Sequence, residues 1–427
     1  MSRHRLPFGN GSLDIDLASA GARQLTVETI APRASDPAAD PLAEVESALA
    51  AAALPAYSGG GCAIAINDRT RPIPHDVLLP PLLRVLERAG VAPADIVLVI
   101  ATGTHPPMPP EQFPDVVPRD ILERYRVICH DAHREEQLAF LGETARGTPI
   151  WVNAEYLRRE LRVVVGGIEP HQFVGFSGGA KSAAIGLGGY PTVTRIHSMM
   201  VEPLARIGRD DDNPCRQDIE EIGRRIGVHF ALNVVLTAKK QIVRAFAGVP
   251  AEVMRQGIPE VRRLNQVLVE RPFDLVIVSP GGHPKDLNVY QAQKALAHAT
   301  LIARRGAAIV VAAACPDGAG SPAYEAWMQD PAMVSHEAVL KRFAREGYRI
   351  GPHKAFMISR DSLACRVLFH SHMPDDLARR LLLTPAPDLQ RAVDEAVAAL
   401  PAGSRIAVMP MANATIPVLA STVGSQQ

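Results

Sequence analysis

Ile96-Val97-Leu98-Val99-Ile100-Ala101 runs directly into Thr102-Gly103-Thr104-His105-Pro106, an unbroken apolar stretch that stops at a polar, glycine- and proline-marked loop. The run shows no alternation of apolar and polar residues, so both faces of such a strand are covered, as in a buried parallel sheet. The pattern recurs along the chain. Strands are predicted over Ala63–Ile66, Val127–Cys129, Arg162–Val165 and Leu232–Leu236, with helices over Val77–Arg88 and Pro250–Asn265. After Arg271 the rhythm restarts: strand Leu275–Ser279, helix Tyr290–Ala303, then strands Ala307–Ala313, Arg366–His370 and Ile406–Met409. The expected fold class is α/β, with two α/β domains of mostly parallel sheet joined near residues 265–272 and an interdomain active-site cleft. Residues 32–57, rich in Ala and Pro, read as a linker followed by a surface helix.

Composition narrows the function. The 427 residues carry 45 Lys+Arg against 45 Asp+Glu, so no basic surface for nucleic acid is expected. No apolar stretch is long enough to span a bilayer, and the first sixteen residues lack the apolar core of a secretory signal. The five cysteines show no CxxC pair and read as reduced, buried thiols of a cytoplasmic protein.

In open α/β sheets ligands gather beyond the carboxyl ends of strands. Four loops lie there: Asn67–Pro72, Thr102–Pro106, Gly166–His171 and Pro280–Pro284. The segment Phe176-Ser177-Gly178-Gly179-Ala180-Lys181-Ser182 reads as a glycine-rich turn opening a helix, where free N–H groups could cradle a phosphate. Lys181 is then either a phosphate contact or a reactive amine. The stretch Gly175 to Ser182 nearly matches a nucleotide-binding GxxxxGKS loop, but Ala180 occupies the second glycine. Glycines that merely allow close packing are the plain alternative. His105, His171, His197 and His283 sit in or after such marked segments, whereas His4, His133, His298, His336 and His372 have no supporting context. Arg71 and Lys294 could grip a substrate carboxylate, and Arg69 reads as a solvated charge. Spacing alone leaves a racemase, a metal hydrolase and a nucleotide-dependent ligase open. A dehydrogenase lacks its GxGxxG after the first strand.

As an ordered set these motifs resemble the nickel-dependent lactate racemase family. The resemblance rests on Leu6-Pro7-Phe8-Gly9-Asn10-Gly11, Asp68-Arg69-Thr70-Arg71-Pro72, Gly103-Thr104-His105 and a HxxxGxSGGxK pattern from His171 to Lys181. It continues with His197, Asn213-Pro214, Leu232-Asn233-Val234-Val235, Gly281–Asp286 and Tyr290–Lys294, so it covers nearly the whole chain. It implies an isomerase inverting C2 of a 2-hydroxy acid by proton-coupled hydride transfer. The cofactor would be a nickel-pincer nucleotide, a pyridinium-3,5-bisthiocarboxylic acid mononucleotide carrying Ni(II), covalently attached to Lys181. Residues 1–268 would form a cofactor-binding domain and residues 269–427 a substrate-capping domain. His197 would be the protein's nickel ligand, and His105 and His171 the paired acid/bases. Asp68, Thr70, Ser177, Gly178 and Gly179 would hold the cofactor. Arg71, Lys294, Gln291 and Tyr290 would hold the substrate. Cofactor-assembly enzymes would be the partners. Two departures stand out. Ser182-Ala183-Ala184-Ile185-Gly186 replaces a proline-containing turn after the lysine. Gly351–Phe356 lacks the tryptophan that some members place over the substrate. The second suggests a larger or more polar 2-hydroxy acid, its pocket shaped by His353 or Phe356. The alternatives kept are a hydrolase with a three-histidine metal site and an inactive cofactor-binding relative.

Overall fold

The computed structural model describes residues 3–420. The chain divides into two compact units, residues 34–264 and residues 1–33 together with 265–427. This differs from a single cut at 268, because the first 33 residues join the second unit. There the strand Thr26–Thr29 pairs in parallel with Arg405–Met409, and Leu6, Phe8, Ile15 and Leu17 pack among Leu275, Ile277 and Val393.

The unit of residues 34–264 is built on a six-stranded sheet in the order Ile242–Gly248, Phe230–Leu236, Leu161–Gly167, Cys62–Asn67, Ile96–Ala101, Arg126–Cys129. All neighbours are parallel except the edge pair of Phe230–Leu236 with Ile242–Gly248. The interior strands are buried on both faces, which explains their continuous apolar character. The chain begins this sheet at Cys62–Asn67, builds outward through Ile96–Ala101, then returns to the opposite side at Leu161–Gly167. The switch point therefore lies between Cys62–Asn67 and Leu161–Gly167, where an open parallel sheet leaves a crevice for a ligand. The helix His75–Arg88 buries Leu78, Leu79, Leu82, Leu83 and Leu86 against this core. The helix Pro41–Ala51, capped by Asp40, buries Val45 and Leu49, so it is part of the core rather than a purely surface element.

The second unit has a five-stranded, all-parallel sheet in the order Arg366–His370, Ala303–Ala312, Phe273–Val278, Arg405–Met409, Thr26–Thr29. The helix Val289–Thr300 packs on it and is capped by Asn288, whose side chain accepts from the Gln291 amide. Among the described residues no helix is long and apolar enough to cross a membrane.

Candidate active site

Two loops flank the switch point and a third follows the neighbouring strand. After Cys62–Asn67 the chain places Asp68, buried at 4% exposure, with Oδ1 accepting from the Thr70 amide at 3.1 Å and from the Thr70 hydroxyl at 2.7 Å. Its Oδ2 accepts from His105 Nδ1 at 2.9 Å, and the His105 side chain is 46% exposed. Burial alone would push the Asp68 carboxyl up. The hydrogen bonds from His105 and Thr70, with the charges of His105 and Arg71, outweigh it and hold the group below its ordinary value. Asp68 and Thr70, expected beside the cofactor, are thus engaged with His105. That bond assigns the His105 Nδ1 proton to Asp68 and leaves Nε2 as the basic end. Arg71 and Arg69 are exposed, and the Arg71 guanidinium donates to the Thr70 carbonyl at 3.3 Å along the loop.

The third loop turns at Gly103, whose amide donates to the Gly186 carbonyl at 2.9 Å, tying the His105 loop to the segment just after Lys181. From Leu161–Gly167 the chain enters a small hairpin, Pro170–His171 against Gly175–Phe176. Gly175 has φ +80°, and a Cβ there would stand 1.6 Å from the Arg209 carbonyl oxygen, so only glycine fits. His171 Nδ1 accepts from the Val174 amide at 3.3 Å, which puts the proton of the neutral ring on Nε2. The buried Phe173 ring stands edge-on to both His171, at 4.7 Å between centroids, and His197, at 5.0 Å. His197 lies on the helix Tyr190–Ser198, where its Nδ1 is 2.8 Å from the Val193 carbonyl oxygen. The proton therefore sits on Nδ1 and the Nε2 lone pair is the metal-competent end.

Lys181 Nζ lies 3.5 Å from Ser177 Oγ. The helix that Lys181 opens is only four residues long, Lys181–Ala184, so its dipole adds little to anion binding. Around it the amides of Ser177, Gly179 and Lys181 already donate to Glu169 O, Asn233 Oδ1 and Gly178 O. Gly178 and Gly179 adopt positive φ, and a Cβ at either would press into Met254. Close packing accounts for these two glycines, and the open-amide cradle expected at a helix start is reduced accordingly.

Sequence reasoning gave no role to three residues that hold this loop. Arg216, buried, donates to the carbonyls of Phe176 and Gly178 and pairs with Glu220. Asn233, a single polar residue inside an apolar strand, receives the Gly179 amide at 2.7 Å. Asn213 caps the helix Pro214–Ile226 and donates to the Phe173 carbonyl at 2.9 Å. The Asn-Pro pair signalled the cap, and a lone Asn in an apolar strand signalled a buried partner. Nothing local signalled Arg216.

His105, His171 and His197 do not make a three-imidazole metal site. Among the described residues no three His, Cys, Asp or Glu side chains gather closely enough to hold a metal. Tyr290, Gln291 and Lys294 belong to the other unit, on one helix, where Lys294 Nζ donates to Gln291 Oε1 at 2.8 Å. His353 is buried edge-on to Tyr290 at 5.5 Å, whereas Phe356 stacks on Phe343 at 4.6 Å in the packing between helices. His283 is exposed in the same unit, its amide donating to Gly9 O. Four of the five cysteines are buried and Cys129 is half-buried; all are free thiols.

The family model for the lactate racemase N-terminal domain matches residues 8–208, and that for the lactate racemase C-terminal domain matches residues 268–416. The chain is 30% identical over 353 residues to the lactate racemase of Thermoanaerobacterium thermosaccharolyticum, spanning 81% of this chain and 82% of that protein. It is 30% identical over 355 residues to that of Lactiplantibacillus plantarum, with the same coverage. The solved lactate racemase apoprotein from T. thermosaccharolyticum superposes with a TM-score of 0.88 at 26% identity, covering 97% of this chain and 99% of that one. A Thermotoga maritima protein shares the fold, at TM-score 0.63 and 16% identity over 89% of this chain and 97% of that one. With both domains present in order over most of its length, the chain belongs to the lactate racemase family and is an enzyme of the racemase type.

Proposed function

We propose that the protein inverts the C2 centre of a 2-hydroxy acid, with lactate as the first candidate substrate, using a nickel-pincer nucleotide tethered to Lys181. The observation that carries this reading is the pair of imidazoles on separate post-strand loops, His105 held by Asp68 and His171 held by the Val174 amide. Inversion needs a proton-transfer group on each face of the substrate, and two independent loops supply that.

The residues fit such a cofactor. His197 presents an unprotonated Nε2, and the absence of a gathered protein ligand set among the described residues suits a metal whose remaining donors come from an organic group. Lys181 and Ser177 would hold the nucleotide, with Gly178 and Gly179 shaping the turn that brings them together. When bound, the group supplies an acceptor for hydride, avoiding deprotonation of a carbon beside a carboxylate. One imidazole then takes the hydroxyl proton as C2 loses its hydrogen with the bonding electrons, leaving a 2-keto acid. The second imidazole gives its proton to the oxygen at C2 as the hydrogen comes back on the other face, restoring the hydroxyl. Asp68, bonded to Nδ1, orients the His105 ring and fixes the tautomer in which Nε2 is the acceptor. Arg71 in one unit, and Lys294 with Gln291 and Tyr290 in the other, are the candidate carboxylate-binding residues. Cofactor-assembly enzymes are the partners this scheme requires.

The protein produced with those enzymes should interconvert single enantiomers of lactate or another 2-hydroxy acid, read by chiral chromatography. Under denaturing conditions it should weigh more than its sequence by the nucleotide, with the adduct on the Lys181 peptide. An active protein of unmodified mass would remove the tether, and a nickel-loaded protein that inverts no 2-hydroxy acid would remove the function.

A further inference from the structure

The unit that carries Lys294 also contains a buried lysine for which the scheme above has no use. Lys354, in the first turn of the helix Pro352–Ala364, is 1% exposed. Its amine donates to Gln293 Oε1 at 3.3 Å and stands 4.6 Å from the centroid of the Tyr290 ring. Neither contact is to a carboxylate. Gln293 is equally buried, and with its oxygen given to Lys354 its Nε2 has no partner. Two residues earlier on the same helix, Gln291 also gives its oxygen to a lysine, Lys294. Both glutamines thereby turn their amide N–H groups away from the lysines. A buried amine without an acid is expensive to fold around, and an apolar side chain would fill that place at lower cost. Burial first, and the charge of Lys294 second, hold the Lys354 amine well below the ordinary lysine range. An arriving carboxylate would restore its charge.

We propose that Lys354 Nζ and Gln293 Nε2 form a second carboxylate-binding subsite beside Lys294, so that the preferred substrate is a 2-hydroxy dicarboxylic acid. This rests on the racemase reading and on Lys294 as the anchor of the first carboxylate. The half-buried Tyr290 ring stands over the amine, 4.6 Å from it. A site built to be met by an acceptor discriminates strongly against a substrate that lacks one, because the donors stay unmatched.

The test uses the nickel-loaded enzyme, with malate and lactate as single enantiomers and succinate as a dicarboxylate without the hydroxyl. Wild type should favour malate over lactate by about tenfold or more in kcat/KM. Lys354→Met, which replaces the amine by an apolar chain of similar length, should lose about that factor on malate and little on lactate. Lys354→Gln, which keeps a donor, should recover part of the malate turnover. Malate and succinate should raise the melting midpoint of wild type and not of Lys354→Met. A wild-type preference for lactate, or equal losses on both substrates in Lys354→Met, overturns the subsite and leaves Lys354 a packing residue. Absence of any shift by malate or succinate in wild type also overturns it, whatever the activity. If succinate protects wild type but no 2-hydroxy acid is inverted, the subsite stands and the racemase chemistry falls.

Discussion

At the scale of single residues, the Asp68–His105 pair decides how the site can work. A buried carboxylate on Nδ1 fixes the imidazole tautomer, and an amide in its place can donate to Nδ1 and reverse it. Asp68→Asn should therefore lower kcat by roughly a hundredfold or more, the scale of a lost acid/base, with a smaller effect on KM. Stability gives an independent readout with a defined sign. The Asp68 carboxyl is held below its ordinary value in the folded protein. Its contribution is fully present above the unfolded value near pH 4 and disappears as pH falls through the folded value. Because His105 is nearly half exposed, screening limits that contribution to about 1 kcal/mol. Urea unfolding of wild type and Asp68→Asn should differ by that amount at pH 7 and converge on acidification. A gap that widens toward low pH would contradict the assigned ion pair.

At the scale of elements, the strands were legible in the sequence and the loop supports were not. Ile96–Ala101 and Leu161–Gly167 announce themselves because burial on both faces demands continuous apolar residues. The hairpin of Pro170–His171 with Gly175–Phe176 has two residues per strand, too few for any period to show. The turn after Gly179 reads as a helix start and is one, but the helix ends within four residues. The partners of the loop lie far along the chain: Asn213 reaches back 40 residues to Phe173, and Asn233 reaches back 54 to Gly179. No local pattern encodes such contacts, although a buried Asn requires partners of some kind. Asn213 joins two functions, since it caps Pro214–Ile226 and ties down the Phe173 loop between His171 and His197. Asn213→Ala removes both, at a cost of about 2–3 kcal/mol. Asn213→Asp keeps the capping oxygen but loses the donor to Phe173, so its stability should fall between. Nickel content of the loaded protein, measured by elemental analysis, should drop in both variants if the Phe173 loop positions His197. Full nickel in Asn213→Asp would make the asparagine a cap and nothing more.

At the scale of the whole molecule, the chain leaves its second unit after residue 33 and returns to it at residue 265. A sequence read from left to right suggests one boundary near 268, because the second α/β rhythm restarts after Arg271 and nothing in residues 1–33 declares where it will pair. The pairing is nonetheless extensive. The strand Thr26–Thr29 forms the edge of the second sheet, and Leu6, Phe8, Ile15, Leu17 and Leu25 are buried in that unit's core. Burying a large apolar side chain contributes roughly 1.5–3 kcal/mol, so the five together contribute on the order of 7–15 kcal/mol. That equals the whole net stability of a typical domain, about 5–15 kcal/mol. A fragment of residues 34–264 keeps its complete six-stranded sheet and should unfold cooperatively in urea. A fragment of residues 265–427 lacks the edge strand and those five side chains, and should show no cooperative transition. Joining residues 1–33 to its carboxyl end through a flexible linker should restore one. Circular dichroism across a urea titration distinguishes these outcomes. Cooperative unfolding of 265–427 alone, at a midpoint equal to that of the joined chain, would mean that the first 33 residues decorate the second unit rather than complete it.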